Sequence, residues 1–358
     1  MMKRAVIIYF SGIIMLVGQS LQVDQKVYDI ISDISADQLE KYVKKLVNFG
    51  TRHTLSDTVS DTRGIGASRR WIKKEFERIS QDCNGCLEVQ EQWSLAKGDP
   101  KSRIKKDTWI VNVYVVKRGT TYPNRYVIMS GDIDSRISDP LDGVGDSPGA
   151  NDNASGMAGA IELARVLSKH DYHSSIILAG LSGEEQGLFG GRFLAEKAKK
   201  EGWEIIGILN NDMIGNIEGV DGVIDNRTFR IFSEPFSILE TERQLKQKRF
   251  YGGENDSESR QLARHVFTTT KTYLPEMTPM LIYRLDRFGR GGHHRPFNEI
   301  GFPGVRIMEA HENYNRQHQD IRSENGIDYG DVISGVNFNY CAKLTAVNAA
   351  VLVTLAMA

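Results

Sequence analysis

The chain has 358 residues, 40% hydrophobic and 25% charged, an ordinary globular composition long enough for one large domain or two small ones. A formal net charge of −1 leaves no electrostatic case for a nucleic-acid partner. Only one CxxC pair is present, Cys83 with Cys86, so a zinc ribbon, which needs a second pair, is excluded.

Residues 1–20 read as a signal peptide. Lys3 and Arg4 make a basic start, residues 5–17 an apolar run, and Gly18-Gln19-Ser20 the small residues that a signal peptidase reads. The alternative is a membrane anchor, for which the run is short. No Cys follows it, which argues against a lipid-anchored form. The expectation is an exported protein, periplasmic or extracellular, with no stable membrane insertion after cleavage and residues 21–358 forming a single domain. Residues 36–49 carry Leu39, Tyr42, Val43, Leu46 and Val47 at helical spacing, and 68–79 predict a second helix. Asn84-Gly85 between Cys83 and Cys86 reads as a turn, closed by a local disulfide or flanked by two free thiols. Residues 109–116 alternate as a strand, and 126–130 make a shorter apolar one. Then come a helix over 153–167, a buried strand over 175–181, a helix over 188–199 and strands over 205–211 and 229–233. A helix over 258–267, a strand over 303–308 and a closing helix over 339–355, holding Cys341 as a buried thiol, complete the pattern.

Strands alternating with helices predict an α/β fold, a three-layer α/β/α sandwich around a mostly parallel mixed sheet. In such sheets ligands bind at the carboxyl ends of the strands. Asp132 and Asp134 follow one strand, Glu184 and Glu185 the next, and Asp212 a third. Singly, each carboxylate reads as a turn residue or helix cap, and the glutamate pair as a solvated surface pair. Together, at successive strand ends, they need a cation among them. Two metals bridged by one carboxylate take about five protein ligands. Asp132, Asp152, Glu185, Asp212 and the late His318 make that number, and Glu184 is left over for proton transfer.

The motifs PGANDNASG (148–156), SGEEQGLFGG (182–191) and NNDMIG (210–215) resemble those of the co-catalytic zinc aminopeptidase family, whose relatives include glutamate carboxypeptidases and glutaminyl cyclases. The likeness runs over residues 126–320, and the turn at Gly50-Thr51-Arg52 and the closing helix extend it to nearly the whole chain. It implies a metallopeptidase with two zinc ions. Asp152 resembles the bridging carboxylate and Glu184 the general base. Glu185 and His318 resemble ligands of one ion, Asp212 a ligand of the other. Asp134 resembles the acid that orients the first ligand.

Two positions depart from the family pattern. Asp132 stands where the family has a ligand histidine, and His293 where relatives carry Asp. A carboxylate at 132 implies an all-oxygen second site, weaker for zinc and more tolerant of Mn²⁺ or Mg²⁺. Either the two changes compensate each other, or they drifted independently. His293, His294 and Tyr314 are candidates to line the site, as are Tyr283, Phe288 and Phe297. The resemblance implies hydrolysis of the N-terminal bond of peptides with a free α-amine. Alternatives are a single-metal, glutaminyl-cyclase-like enzyme, a carboxypeptidase using Arg287, Arg290 and Arg295, and a non-catalytic peptide-binding homologue.

Overall fold

The structure, a computed structural model, describes residues 23–253 and 256–358. The expected signal peptide, residues 1–20, lies outside the described residues. The main sheet is built from β1 (Glu88–Ala96), β2 (Thr108–Lys117), β3 (Tyr122–Asp132), β4 (Ser174–Leu181), β5 (Glu204–Asn211), β6 (Thr228–Ser233), β7 (Thr278–Ile282) and β8 (Gly304–Glu309). Its order is β1-β2-β4-β3-β5-β8-β6-β7. The central run β4-β3-β5-β8 is parallel, and antiparallel pairings attach β2 and β6 on either side.

The helices in chain order are α1 (Gln25–Ser32), α2 (Ala36–Val47), α3 (Gly64–Asp82), α4 (Ala154–Leu167), α5 (Phe189–Glu201), α6 (Glu242–Tyr251), α7 (Glu258–Tyr273), α8 (His294–Glu299) and α9 (Phe338–Met357). Side chains alternate across each strand, so the strands feed two cores. Val113, Val115, Val127, Met129, Ile176 and Leu178 pack toward α2, α4 and α9. Tyr114, Val116, Tyr126, Ile128, Ile177 and Ala179 pack toward Leu194 and Ala195 of α5 and Phe297 of α8. This is the three-layer α/β/α arrangement that the alternation of elements predicts. α9 is apolar and long enough to cross a membrane, yet 72% of its apolar window is buried inside the fold, so its hydrophobicity serves the core.

No sequence expectation covers α1 and α8, short helices that bury Val27 and Ile30 and His294 and Phe297, nor three peripheral elements. β1 is a polar edge strand, β7 a five-residue edge strand containing Pro279, and α6 buries no residue. None has the apolar periodicity that announces an element. Cys83 and Cys86 form a disulfide across the Asn84-Gly85 turn, where both residues have positive φ. Cys341 is buried, and burial pushes its thiol up to about 12.

One close approach positions the site. A Cβ on Gly131 would lie 2.4 Å from the Gly156 carbonyl carbon, so glycine lets the end of β3 abut the first turn of α4. Asn153 caps that turn by accepting from the Gly156 N–H. Asp132 and Asp152 are thereby brought to the same sheet edge.

Candidate metal centre

Asp132 is the last residue of β3, Glu184 and Glu185 follow β4, and Asp212 follows β5. Asp152 precedes α4, and His318 lies on the loop after β8. His318 Nε2 is 3.0 Å from Asp152 Oδ2 and 3.0 Å from Glu185 Oε1. One donor atom from each of the three lies within 4.8 Å of the others. His318 takes φ +55°, a conformation uncommon for a non-glycine residue, so its surroundings hold it in place against local preference.

The loops carrying these groups are gripped by buried polar side chains. Asp331 accepts from the Asn151 and Asp152 N–H groups at 2.9 and 2.7 Å. Glu309 accepts from Asn151 Nδ2 at 2.9 Å and from the Asn216 N–H at 3.0 Å. Arg52, fully buried, donates to the carbonyls of Ile133, Pro148 and Gly149. Asp134 accepts from Thr54 Oγ1 and from the N–H groups of Glu184 and Glu185. Its carboxylate therefore clamps the glutamate turn, where the family likeness implied that it would orient residue 132.

Burial opposes ionisation of Asp152 and Glu185, but contact with His318 outweighs it and holds both below the ordinary carboxylate range. Arg136 donates from Nε to Glu185 Oε2 at 2.7 Å, and Gln317 Nε2 donates to Asp152 Oδ2 at 3.1 Å. Arg136 Nη2 also lies 2.6 Å from His318 Nδ1. Burial disfavours a charged ring, but Glu185 and Asp152 outweigh it and raise His318 to about 9, so a protonated Nε2 lies between the two carboxylates. The proton occupies the place where a cation would go. Glu184 differs: burial, then Glu185, Asp212 and Asp132, push its pKa well above the ordinary value. Its carboxylate has no ion-pair partner among the described residues. It lines a cavity of about 1000 Å³ shared with Asp152, Glu185, His318 and Asp212.

Two carboxylates and one imidazole facing an open cavity fit zinc, which takes these ligands and keeps a position for water or substrate at catalytic sites. The donors expected for a second ion do not converge in this way. Among the described residues, the group within metal-holding distance is Asp152, Glu185 and His318. Asp212 Oδ2 instead pairs with Arg306 Nη2 at 2.7 Å. Asp132 Oδ2 accepts from Asn153 Nδ2 at 2.7 Å, and its Oδ1 faces His293 Nε2 at 3.6 Å. The two departures from the family pattern are thus neighbours in space, both buried. Burial raises Asp212 to about 7 despite Arg306, and lowers His293 to about 3, leaving that imidazole neutral.

His293, His294 and Tyr314 are not among the cavity-lining side chains. His294 is buried, with Nε2 2.8 Å from the Leu285 carbonyl, and Tyr314 is exposed. Of the aromatic candidates Phe288 lines the cavity, whereas Phe297 belongs to the core beneath α8. Arg287, Arg290 and Arg295 do line it. Sequence reasoning missed Arg52, Arg136, Glu309, Asp331 and Arg306. The one visible sign was an arginine in the otherwise apolar strand start Gly304-Val305-Arg306-Ile307.

The profile of peptidase family M28 matches residues 112–332. A "probable zinc metalloprotease" of Pyrenophora teres f. teres is 43% identical over 337 residues, covering 94% of this chain and 69% of the relative. One from Leptosphaeria maculans is 43% identical over 335 residues, covering 94% and 77%. Among solved structures, the LapA aminopeptidase of Legionella pneumophila superposes with a TM-score of 0.65 at 17% identity, over 95% of this chain and 76% of that one. A Porphyromonas gingivalis glutaminyl cyclase gives 0.60 at 18%, over 89% and 98%. At these identities the two structures speak for the fold alone.

Proposed function

The chain belongs to peptidase family M28, and from that premise we propose that it is an exported, zinc-dependent exopeptidase that removes the N-terminal residue of peptides. The observation that carries the reading is Glu184. It stands unpaired in the cavity that also holds Asp152, Glu185 and His318. Zinc held by those three would supply Lewis acidity toward the scissile carbonyl. Glu184 takes the proton of the attacking water and returns it to the leaving amine. Its raised proton affinity suits the first of these transfers. Arg136 and Gln317 fix the orientation of Glu185 and Asp152, as groups that hydrogen-bond to metal ligands do.

A second reading, removal of the C-terminal residue, is favoured by the cavity wall. Arg192 and Arg284 line it and have no carboxylate partner among the described residues; each lies against an aromatic ring. A free substrate carboxylate would pair with such a guanidinium.

The test is hydrolysis of leucyl-anilide, its N-acetylated form, and a peptide with either a free or an amidated C-terminus, with zinc supplied. Cleavage that requires the free amine and is abolished in Glu184→Gln supports the first reading. Cleavage indifferent to acetylation but blocked by C-terminal amidation selects the second. No turnover of any of them overturns both.

A further inference from the structure

We propose that this centre is mononuclear, with the Arg306 guanidinium as a built-in cation in the place where a two-metal site would put its second ion. The inference rests on the zinc-peptidase reading and concerns the other half of the same carboxylate cluster.

Arg306 lies on β8 beside Asn210 of the parallel strand β5, two residues before Asp212. Its side chain is fully buried. Nη2 meets Asp212 Oδ2 at 2.7 Å. Nη1 donates to Asp286 Oδ1 at 3.1 Å and to the Gly291 carbonyl at 2.6 Å. The guanidinium does not give up its charge at any ordinary pH, and its planar fork is anchored on two sides. A second divalent ion beside Asp212 would face this fixed positive charge, and the two would repel.

The remaining ligand of a second ion is engaged as well. The Gly191 N–H donates to His293 Nδ1 at 3.1 Å, so His293 carries its proton on Nε2, the nitrogen that faces Asp132 Oδ1. Asn153 Nδ2 holds the other oxygen of Asp132. Residue 132 is therefore a carboxylate with one oxygen held by Asn153 and the other 3.6 Å from the His293 ring, beyond hydrogen-bond distance. Asp132 Oδ1 and Asp212 Oδ1 have no hydrogen-bond partner, but they do not join a third donor in a cluster close enough to hold an ion. Asn153 at Asp132 and Arg306 at Asp212 thus each engage, from the protein itself, one carboxylate oxygen on which a second ion would draw.

The experiment counts zinc by plasma mass spectrometry on the purified protein after dialysis against zinc-buffered solution, for wild type, Asp212→Asn and His318→Ala. Circular dichroism checks that each variant is folded. One zinc per chain in wild type, retained in Asp212→Asn and lost in His318→Ala, is the expected result. Two in wild type, falling to one in Asp212→Asn, overturns the inference and leaves the zinc-peptidase reading intact. One in wild type that is lost in Asp212→Asn also overturns it. No zinc in wild type, with no turnover, overturns the zinc-peptidase reading and the inference together. Should the variants fail to fold, calorimetric titration of metal-free wild type decides between one and two binding steps.

Discussion

The carboxylate cluster has two halves that solve the same electrostatic problem differently. On the His318 side, Asp152 and Glu185 converge on an imidazole and an open cavity, so the neutralising cation can come and go. On the Arg306 side, Asp212 and Asp286 converge on a guanidinium that is part of the chain and has no access to solvent. A buried carboxylate demands a positive partner in either case. What differs is whether that partner is exchangeable, and only an exchangeable one leaves a coordination position for substrate.

Metal removal should separate the halves most sharply. Chelation of wild type is expected to abolish hydrolysis, and added zinc to restore it. His318→Ala should stay inactive after zinc is returned. Retention of full activity in the chelated protein would remove the distinction between the two sides. Next in size is Glu184→Gln. Loss of a positioned acid–base group costs roughly 10²–10⁴-fold in turnover. Zinc content should not change, because Glu184 is not one of the converging donors. A variant that loses zinc along with activity would make Glu184 a ligand and break the assignment of roles.

Arg306→Met probes the closed half. It leaves Asp212 and Asp286 buried without their common cation. Removing one partner of a buried ion pair costs about 3–5 kcal/mol, and two carboxylates depend on this one. Urea unfolding of the metal-free protein is the measurement. The matching change on the open side, His318→Ala, should cost the metal-free protein far less, since His318 lines the cavity and Arg306 does not, and Arg136 and Gln317 still hold Glu185 and Asp152. Equal losses for both variants would mean that the two halves are equally closed.

The open half was the legible one. Asp152, Glu184, Glu185 and His318 stand in turns after apolar strands, where local composition is unusual and the motifs are distinctive. The closed half was not, because its meaning lies in pairs far apart in the chain. Arg306 sits in a strand, where an isolated arginine ordinarily marks a solvent-facing position. Here both faces of β8 are covered, and the side chain points into the cluster. Asp331 grips the Asp152 N–H across 179 residues, and no local pattern announces such a contact. The proximity of Asp132 and His293 likewise depended on the packing of the β8-side loop against the end of β3. The sheet centre was readable from the order of strands and helices, whereas β1, β7 and α6 were missed because edge elements bury too little to need a pattern, and α1 and α8 because eight and six residues are too short to show a helical period.

The smallest expected effect is a control outside both halves. The Cys83–Cys86 disulfide closes a turn with a sequence separation of 3 at the end of α3. A loop that short removes little freedom from the unfolded chain, about 2 kcal/mol in the loop-entropy account. For a domain of this length that corresponds to a fall in Tm of about 3 °C in a Cys83→Ser, Cys86→Ser double variant. Zinc content and turnover should stay at wild-type values, because no residue of the turn lines the cavity or touches the cluster. This separates stability from site integrity. A loss of a few degrees with full zinc occupancy shows what global destabilisation alone does. Any larger loss of zinc in Arg306→Met then reflects the charge at residue 306. If the double variant also sheds zinc, the cluster is sensitive to general stability, and the Arg306 result has to be judged against that background.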